Sequence, residues 1–356
     1  MRNVLNKALD EEPLCREEIC SLLSIRHKED LGALFETARI LRTRYFGDEV
    51  FLYGFVYFST YCRNSCAFCL YRSPNDVVKR YRKPDEEVVS TAVELAESGV
   101  HLVDLTMGED MFYLRPGDGP LLPDLISKVK SSTGLPLMVS PGVVSDDILI
   151  RLKNAGADWY ACYQETHNRE LFSKLRQNQD YDLRFGRKVF AKKIGFLIEE
   201  GILAGVGETV EDVADSIEAM KALGAHQVRV MTFVPQPGTP MSTWPRVAGL
   251  RELIITAVFR LVFPDKLVVG SLDVEGLPGL ESRLMAGANV VTSIIPPRKG
   301  LMGVSQSTLG VDEGLRTVAA VKTVLQELGL KVASHKRYRD WMNRVNVMQE
   351  FSYNPR

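Results

Sequence analysis

Three cysteines crowd into eight residues, Cys62, Cys66 and Cys69, within the run Tyr57-Phe58-Ser59-Thr60-Tyr61-Cys62-Arg63-Asn64-Ser65-Cys66-Ala67-Phe68-Cys69. This C-x3-C-x2-C spacing puts three thiols on one short loop. Thiolate is the soft ligand that iron–sulfur clusters need, and three of them can bind three corners of a cube. A [4Fe–4S] cluster held this way keeps one iron open to an outside chelator. Structural zinc would need four closed ligands. Neither another cysteine pair nor a histidine at finger spacing accompanies the triplet. Of the five histidines, His101 begins the next apolar run and the others lie farther off. The remaining cysteines, Cys15, Cys20 and Cys162, read as buried or incidental residues.

Reduced, ligand-bound thiols fit the rest of the composition. Six cysteines in 356 residues do not make a disulfide framework. The formal net charge of -1, from 44 basic and 45 acidic residues, lacks the field that holds a nucleic-acid backbone. The N-terminal run Met1-Arg2-Asn3-Val4, followed by Asp10-Glu11-Glu12, carries no apolar signal. No later stretch approaches the roughly 20 apolar residues of a membrane span. The expected compartment is the cytoplasm, with no nucleic-acid or membrane partner.

The elements that position the cysteines can be read from periodicity. Residues 1–48 carry apolar positions at helical spacing and form a helical lead-in to a domain spanning 49–356. From Phe51 onward, short apolar and β-branched runs alternate with amphipathic stretches, the pattern of βα units and a parallel sheet. Eight strands are expected: Phe51–Ser59, His101–Leu105, Leu135–Ser140, Trp159–Tyr163, Phe196–Leu203, Val228–Val234, Leu267–Leu272 and Val290–Ile295. Helices fall between them at Asp85–Ser98, Leu121–Ser131, Ser145–Ala155, Gly186–Lys193, Val210–Leu223, Leu250–Leu261, Leu280–Ala286 and Val311–Leu328. Eight such units predict an α/β fold, a (β/α)8 TIM barrel with an N-terminal helical extension. The cysteine loop leaves the first strand, and Pro/Gly clusters such as Arg115–Pro120 read as loops at the barrel mouth, where function sits in this fold.

With Phe68 before the last cysteine, the triplet resembles that of the radical S-adenosylmethionine superfamily. Further segments extend the resemblance: Asp104 to Asp110, Tyr163-Gln164-Glu165-Thr166, Val228 to Phe233 and Ser271-Leu272-Asp273 are similar to the methylornithine synthase family of the pyrrolysine pathway. Biotin synthase and a hydrogenase maturase are more distant relatives. The resemblance implies a lysine mutase, an isomerase in pyrrolysine biosynthesis. Its cofactors would be a [4Fe–4S] cluster and S-adenosylmethionine. A 5′-deoxyadenosyl radical would take a hydrogen atom from L-lysine, whose Cα–Cβ bond breaks and whose fragments rejoin as 3-methylornithine.

By that resemblance, Met107, Gly108 and Glu109 meet the cofactor's methionine ammonium, with Met107 in place of a family glycine. Glu165 accepts the ribose hydroxyls. Arg176 or, better, Arg187 holds the carboxylate, and Gly205 lets the backbone lie close to the adenine. An amino-acid substrate such as lysine needs one cation and at least two acids or carbonyls, and the strand ends supply them. The resemblance assigns Arg229 and Ser271 to the substrate carboxylate and Asp104 and Asp273 to its ammonium groups, with Ser140 beside them. No side chain is expected to be catalytic beyond the cluster and cofactor. The expected partners are the amino-acid substrate and an electron donor such as a flavodoxin or ferredoxin, and a monomer is expected. Alternatives are the same chemistry on another small amino acid, a biotin synthase-like sulfur insertion, a passive iron–sulfur carrier, and a zinc-stabilised binding module.

Overall fold

The run Glu49–Ser59 forms the first strand, β1, with ten of its eleven residues buried, as a strand covered on both faces requires. Its alternate side chains go to different places. Phe51, Tyr53, Phe55 and Tyr57 join an inner aromatic cluster with Met138, Trp159 and Leu197. Val50, Leu52, Val56 and Phe58 instead pack beneath the surrounding helices. The period of two in a pleated strand produces this division.

The structure, a computed structural model, describes residues 1–115, 121–303 and 315–352, with side chains described to residue 347. After β1 come β2 (Leu102–Met107), β3 (Leu137–Ser140), β4 (Trp159–Ala161), β5 (Leu197–Ala204), β6 (Gln227–Thr232), β7 (Leu267–Ser271), β8 (Val290–Ile294) and β9 (Lys331–Val332). Strands β1 to β8 pair in parallel in chain order, and β8 and β2 both pair with β1, closing the barrel. The two-residue β9 pairs outside the ring, against Glu49 and Val50. The fold is a closed (β/α)8 barrel.

Helix signals account for the outer layer. Gly99 and Gly224 end the helices Asp85–Ser98 and Val210–Leu223 in the left-handed region, where glycine carries no Cβ penalty. The three leading helices, Arg2–Leu9, Arg16–Leu23 and Lys28–Phe46, bury Leu5, Ile19, Leu22, Leu34 and Leu41 against the helices Val210–Leu223 and Leu250–Val262. They flank the barrel wall.

Several elements differ from expectation, among them the strand β9 and the short helix Met111–Leu114, which were not expected. The helix His335–Ser352 was not foreseen; its Tyr338, Trp341 and Met342 enter the inner cluster, and Trp341 stacks on Trp159 with ring centroids 6.0 Å apart. Its polar residues dilute the apolar period, which hides it in the sequence. The helix expected at Gly186–Lys193 begins at Tyr181, capped by the Asp180 side chain on Leu183 N–H. A further helix, Arg169–Leu175, is capped by Asn168. The helix expected from Val311 is described over Val318–Glu327, and residues 311–314 and 116–120 lie outside the described residues. Among the described residues, no helix is long and apolar enough to cross a membrane.

Candidate active site

The loop after β1 is rigid because other side chains satisfy its backbone. Arg80 donates to the carbonyls of Thr60, Tyr71, Arg72 and Asn75. Arg72 Nε donates to Cys66 O at 3.1 Å. Gly108, at the end of β2, donates its N–H to Ser59 O and passes close under the loop. A Cβ there would lie 2.2 Å from Tyr61 O, so only glycine fits.

Cys62, Cys66 and Cys69 together line one cavity at the C-terminal ends of the strands, of about 1080 Å³ counted to its open mouth. Burial pushes the Cys62 and Cys69 thiols up, so a cationic iron core is what would hold them as thiolates. Among the described residues, no three His, Cys, Asp or Glu side chains gather about one ion-sized point. Three thiols on the wall of one cavity supply the soft donor set of a [4Fe–4S] cluster that leaves one iron to an outside ligand.

Glu165 follows β4 with φ 67°, a left-handed conformation that is strained for a residue with a Cβ. Its backbone is pinned there by hydrogen bonds from its N–H to Gly201 O at 3.2 Å and from Leu203 N–H to its own carbonyl at 2.9 Å. The carboxylate receives Arg176 Nη2 at 2.7 Å on Oε1, while Oε2 is buried without a partner among the described residues. An unsatisfied acceptor facing the cavity fits an incoming hydroxyl pair.

Beside it, Arg184 donates to Tyr163 O at 2.7 Å and to Glu109 Oε1 at 3.3 Å. Glu109 also receives Val143 N–H and Arg63 Nε. Burial works against the Glu109 charge, but Arg184, Val143 N–H and Arg63 hold its carboxyl below the ordinary value. Gly142, with φ 76°, makes this arrangement possible: a Cβ there would lie 2.1 Å from Glu109 Cγ.

A second polar group lies deeper. Arg229 on β6 places Nε 2.9 Å from Glu199 Oε1 and Nη2 2.9 Å from Thr292 Oγ1. Burial opposes the Arg229 charge, and the Glu199 carboxylate 2.9 Å away outweighs it, so the guanidinium stays charged. Asp273 receives Tyr57 OH at 3.0 Å, Ser293 Oγ at 2.8 Å and Ser271 Oγ at 2.9 Å, with Arg316 at 3.4 Å. Asp104 receives Ser140 Oγ at 3.1 Å. Burial first, then Glu199, pushes its carboxyl up to about 7.

The cavity wall therefore gathers Cys62, Cys66, Cys69, Met107, Gly108, Glu109, Glu165 and Arg176 with Asp104, Ser140, Arg229 and Asp273. Three expected residues are not on it. Arg187 points away and pairs with Asp146 on the helix Asp146–Asn154; Arg184, one helical turn earlier, faces the cavity instead. Gly205 is turned from the cavity, its carbonyl receiving Trp244 Nε1 and its N–H bound to Glu208. Ser271 is buried, donates to Asp273 Oδ2 at 2.9 Å, accepts the Asp273 N–H at 3.2 Å and lies 3.5 Å from Ser293 Oγ. Cys162, expected as a buried or incidental residue, is buried and also lines the cavity. The sequence reading also missed Arg184, Gln179, Glu199 and Gly142. The signal for the first was the Asp180 cap, which starts the helix at Tyr181 and puts Arg184 on it one turn before Arg187.

Known proteins resemble the chain closely. Residues 56–248 match the Radical SAM superfamily. The chain is 42% identical to 3-methylornithine synthase of Methanosarcina acetivorans, over 93% of this chain and 94% of that one. It is 28% identical to the [FeFe] hydrogenase maturase subunit HydE of Thermotoga maritima over 98% of its length and 99% of the relative's. The crystal structure of methylornithine synthase (PylB) superposes with a TM-score of 0.89 at 40% identity, covering 95% of this chain and 99% of that chain.

Proposed function

The chain belongs to the radical S-adenosylmethionine superfamily, and from that membership we propose that it is a lysine mutase converting L-lysine to 3-methylornithine in pyrrolysine biosynthesis. When bound, the cluster and S-adenosylmethionine supply reductive cleavage to a 5′-deoxyadenosyl radical, which takes a hydrogen atom from the substrate. The protein's residues bind, orient and exclude water.

Cys62, Cys66 and Cys69 would hold the cluster. The cofactor's amino-acid end would enter the loose 3.3 Å pair of Arg184 and Glu109, its carboxylate going to the guanidinium and its ammonium to the acid, with Met107 and Gly108 alongside. Glu165 Oε2, without a partner among the described residues, would take the ribose, steadied by Arg176.

Lysine carries one carboxylate and two ammonium groups, and the charged side chains of the deeper group that line the cavity are one cation, Arg229, and two acids, Asp104 and Asp273, while Glu199 and Arg316 lie behind them as their partners. That match of charges is the observation that carries the substrate reading. Ser140 orients Asp104, and Ser271 orients Asp273. Arg229 cannot leave its site, because Glu199 and Thr292 hold it; a fixed fork orients a carboxylate better than a mobile one. The enclosed barrel shields radical fragments from water. An external one-electron donor such as a flavodoxin or ferredoxin would reduce the cluster, and a monomer contains every residue named.

The test is anaerobic turnover. Reconstituted protein with reductant, S-adenosylmethionine and L-lysine is expected to yield 3-methylornithine. A loaded cluster that cleaves S-adenosylmethionine while lysine stays unchanged would refute the substrate and leave the superfamily chemistry standing.

A further inference from the structure

Between the cysteine loop and the cofactor arginines sits a side chain that the function above does not use. The helix Arg169–Leu175 ends at Arg176, and the chain turns sharply through Asn178, whose φ of 61° lies in the left-handed region that asparagine tolerates. The turn throws Gln179 toward the cysteines. The same turn is stitched to their loop by Ala67 N–H on Leu175 O at 2.8 Å and Ser65 Oγ on Gln177 O at 3.4 Å. Gln179 therefore holds a fixed place relative to Cys66.

Its amide orientation is decided by its neighbours. Oε1 faces Arg184 Nη1 at 3.3 Å and Arg176 Nη1 at 3.5 Å, and guanidinium groups can only donate. The amide nitrogen must then face the other way, where Nε2 lies 3.0 Å from Cys66 Sγ. Arg176 Nη1 approaches the same sulfur at 3.6 Å. The two arginines are in turn bound to Glu165 and Glu109. A continuous chain of polar contacts thus runs from the ribose acid and the carboxylate fork through one amide to one thiol.

We propose that Gln179 couples cofactor occupancy to the reduction potential of the cluster by donating its N–H to the Cys66 sulfur. This rests on the assignment of the cluster to the three cysteines and of the cofactor to Arg176, Arg184 and Glu165. Hydrogen bonds to cluster sulfurs are among the features that set the potential. An N–H dipole aimed at the sulfur stabilises the reduced, more negative cluster. A cofactor that draws Arg184 and Glu165 to itself changes what Gln179 Oε1 faces, and so changes the bond at its other end.

The test is a redox titration of the reconstituted full chain, followed by the electron paramagnetic resonance of the reduced cluster, with and without S-adenosylmethionine. Gln179→Met keeps the length and removes both amide functions. Gln179→Glu keeps an acceptor for the arginines, removes the donor and adds a negative charge near the Cys66 sulfur, so its potential is expected to fall at least as far as that of Gln179→Met, which isolates the loss of the N–H. Gln179 is half-buried and outside the hydrophobic core, so both variants are expected to fold and load iron as the parent does. In both, the equilibrium for reduction is expected to fall about tenfold, which is about 59 mV for one electron, and the shift caused by S-adenosylmethionine is expected to shrink. Parental potentials and a parental response to the cofactor would overturn the coupling. Loss of the cluster from both variants would also overturn it, by assigning Gln179 to cluster retention. Cofactor binding by Glu165→Gln, measured by equilibrium dialysis with S-adenosylmethionine, tests the underlying assignment separately. Unweakened binding there would remove the cofactor site itself, whatever Gln179 does.

Discussion

Glu199 lies beneath Arg229 with its Oε1 2.9 Å from the guanidinium Nε, and both side chains are almost wholly enclosed. The other oxygen of Glu199 receives Tyr163 OH at 2.9 Å. The acid is thus fully used in holding one cation at the cavity floor, and it is a positioning residue. Glu199→Gln would leave a buried guanidinium short of its counter-charge. Removing one partner of a buried pair costs about 3–5 kcal/mol, so a clear fall in melting temperature is expected. Lysine binding by isothermal titration is expected to weaken as well. A variant as stable as the parent would show that Glu199 does not anchor Arg229.

The Asp104 carboxyl, pushed up to about 7 by burial and by Glu199, gives a second expectation. Between about pH 4 and pH 7 the folded protein keeps a proton there that the unfolded chain has released. Stability from this group therefore falls as pH rises through that window. His101 and His167, lowered to about 4 by burial, act with the opposite sign, since the unfolded chain binds the extra protons. The difference between parent and Asp104→Asn isolates the carboxyl. Melting curves without substrate should show the parent losing ground to the variant as pH rises from about 4 to 7. A constant difference would contradict the assignment.

Glycines on two sides of the cavity make a third prediction. Gly142→Ala would drive a methyl into Glu109 and place alanine at φ 76°, which costs about 1–2 kcal/mol before any contact is counted. Its S-adenosylmethionine affinity should fall while iron content stays near parental. Gly108→Ala would meet the backbone carbonyl of Tyr61 and disturb the cysteine loop itself. Iron content should fall there. The reverse pattern would exchange the roles given to the two turns.

Arg184 and Arg187 share one helix and separate sharply in their surroundings. Arg184 is buried against Glu109 and Tyr163 O, while Arg187 pairs with the half-exposed Asp146. A hydrogen bond to a charged group contributes about 1.5–3 kcal/mol. Arg184→Ala is therefore expected to weaken S-adenosylmethionine binding tenfold or more, and Arg187→Ala to leave it within about twofold. Equal losses would contradict the assignment.

The same two arginines show what was legible in the sequence. All eight barrel strands could be read from period and punctuation, because each is a short apolar run bounded by Gly, Pro or polar residues. The cysteine spacing was legible because its three thiols are local in the chain. The facing of Arg184 was not, since the helix was expected only from Gly186 and left Arg184 outside it, whereas the helix begins at Tyr181 and carries Arg184 one turn before Arg187. Glu199 and Gln179 were hidden for a different reason. Each matters through partners 20 or more residues away, Arg229 in one case and Cys66 in the other, and such pairings appear only once the barrel closes. The helix His335–Ser352 carried too little apolar period to declare that its aromatic residues fill the barrel floor.

The most direct measurement follows the hydrogen atom. Reconstituted protein is incubated anaerobically with reductant, S-adenosylmethionine and lysine fully deuterated on carbon, and the 5′-deoxyadenosine formed is analysed by mass spectrometry. Deuterium in that product, accompanied by deuterated 3-methylornithine, is the predicted result. Formation of 5′-deoxyadenosine that contains no deuterium, with lysine recovered intact, would contradict lysine as the molecule held between Arg229, Asp104 and Asp273.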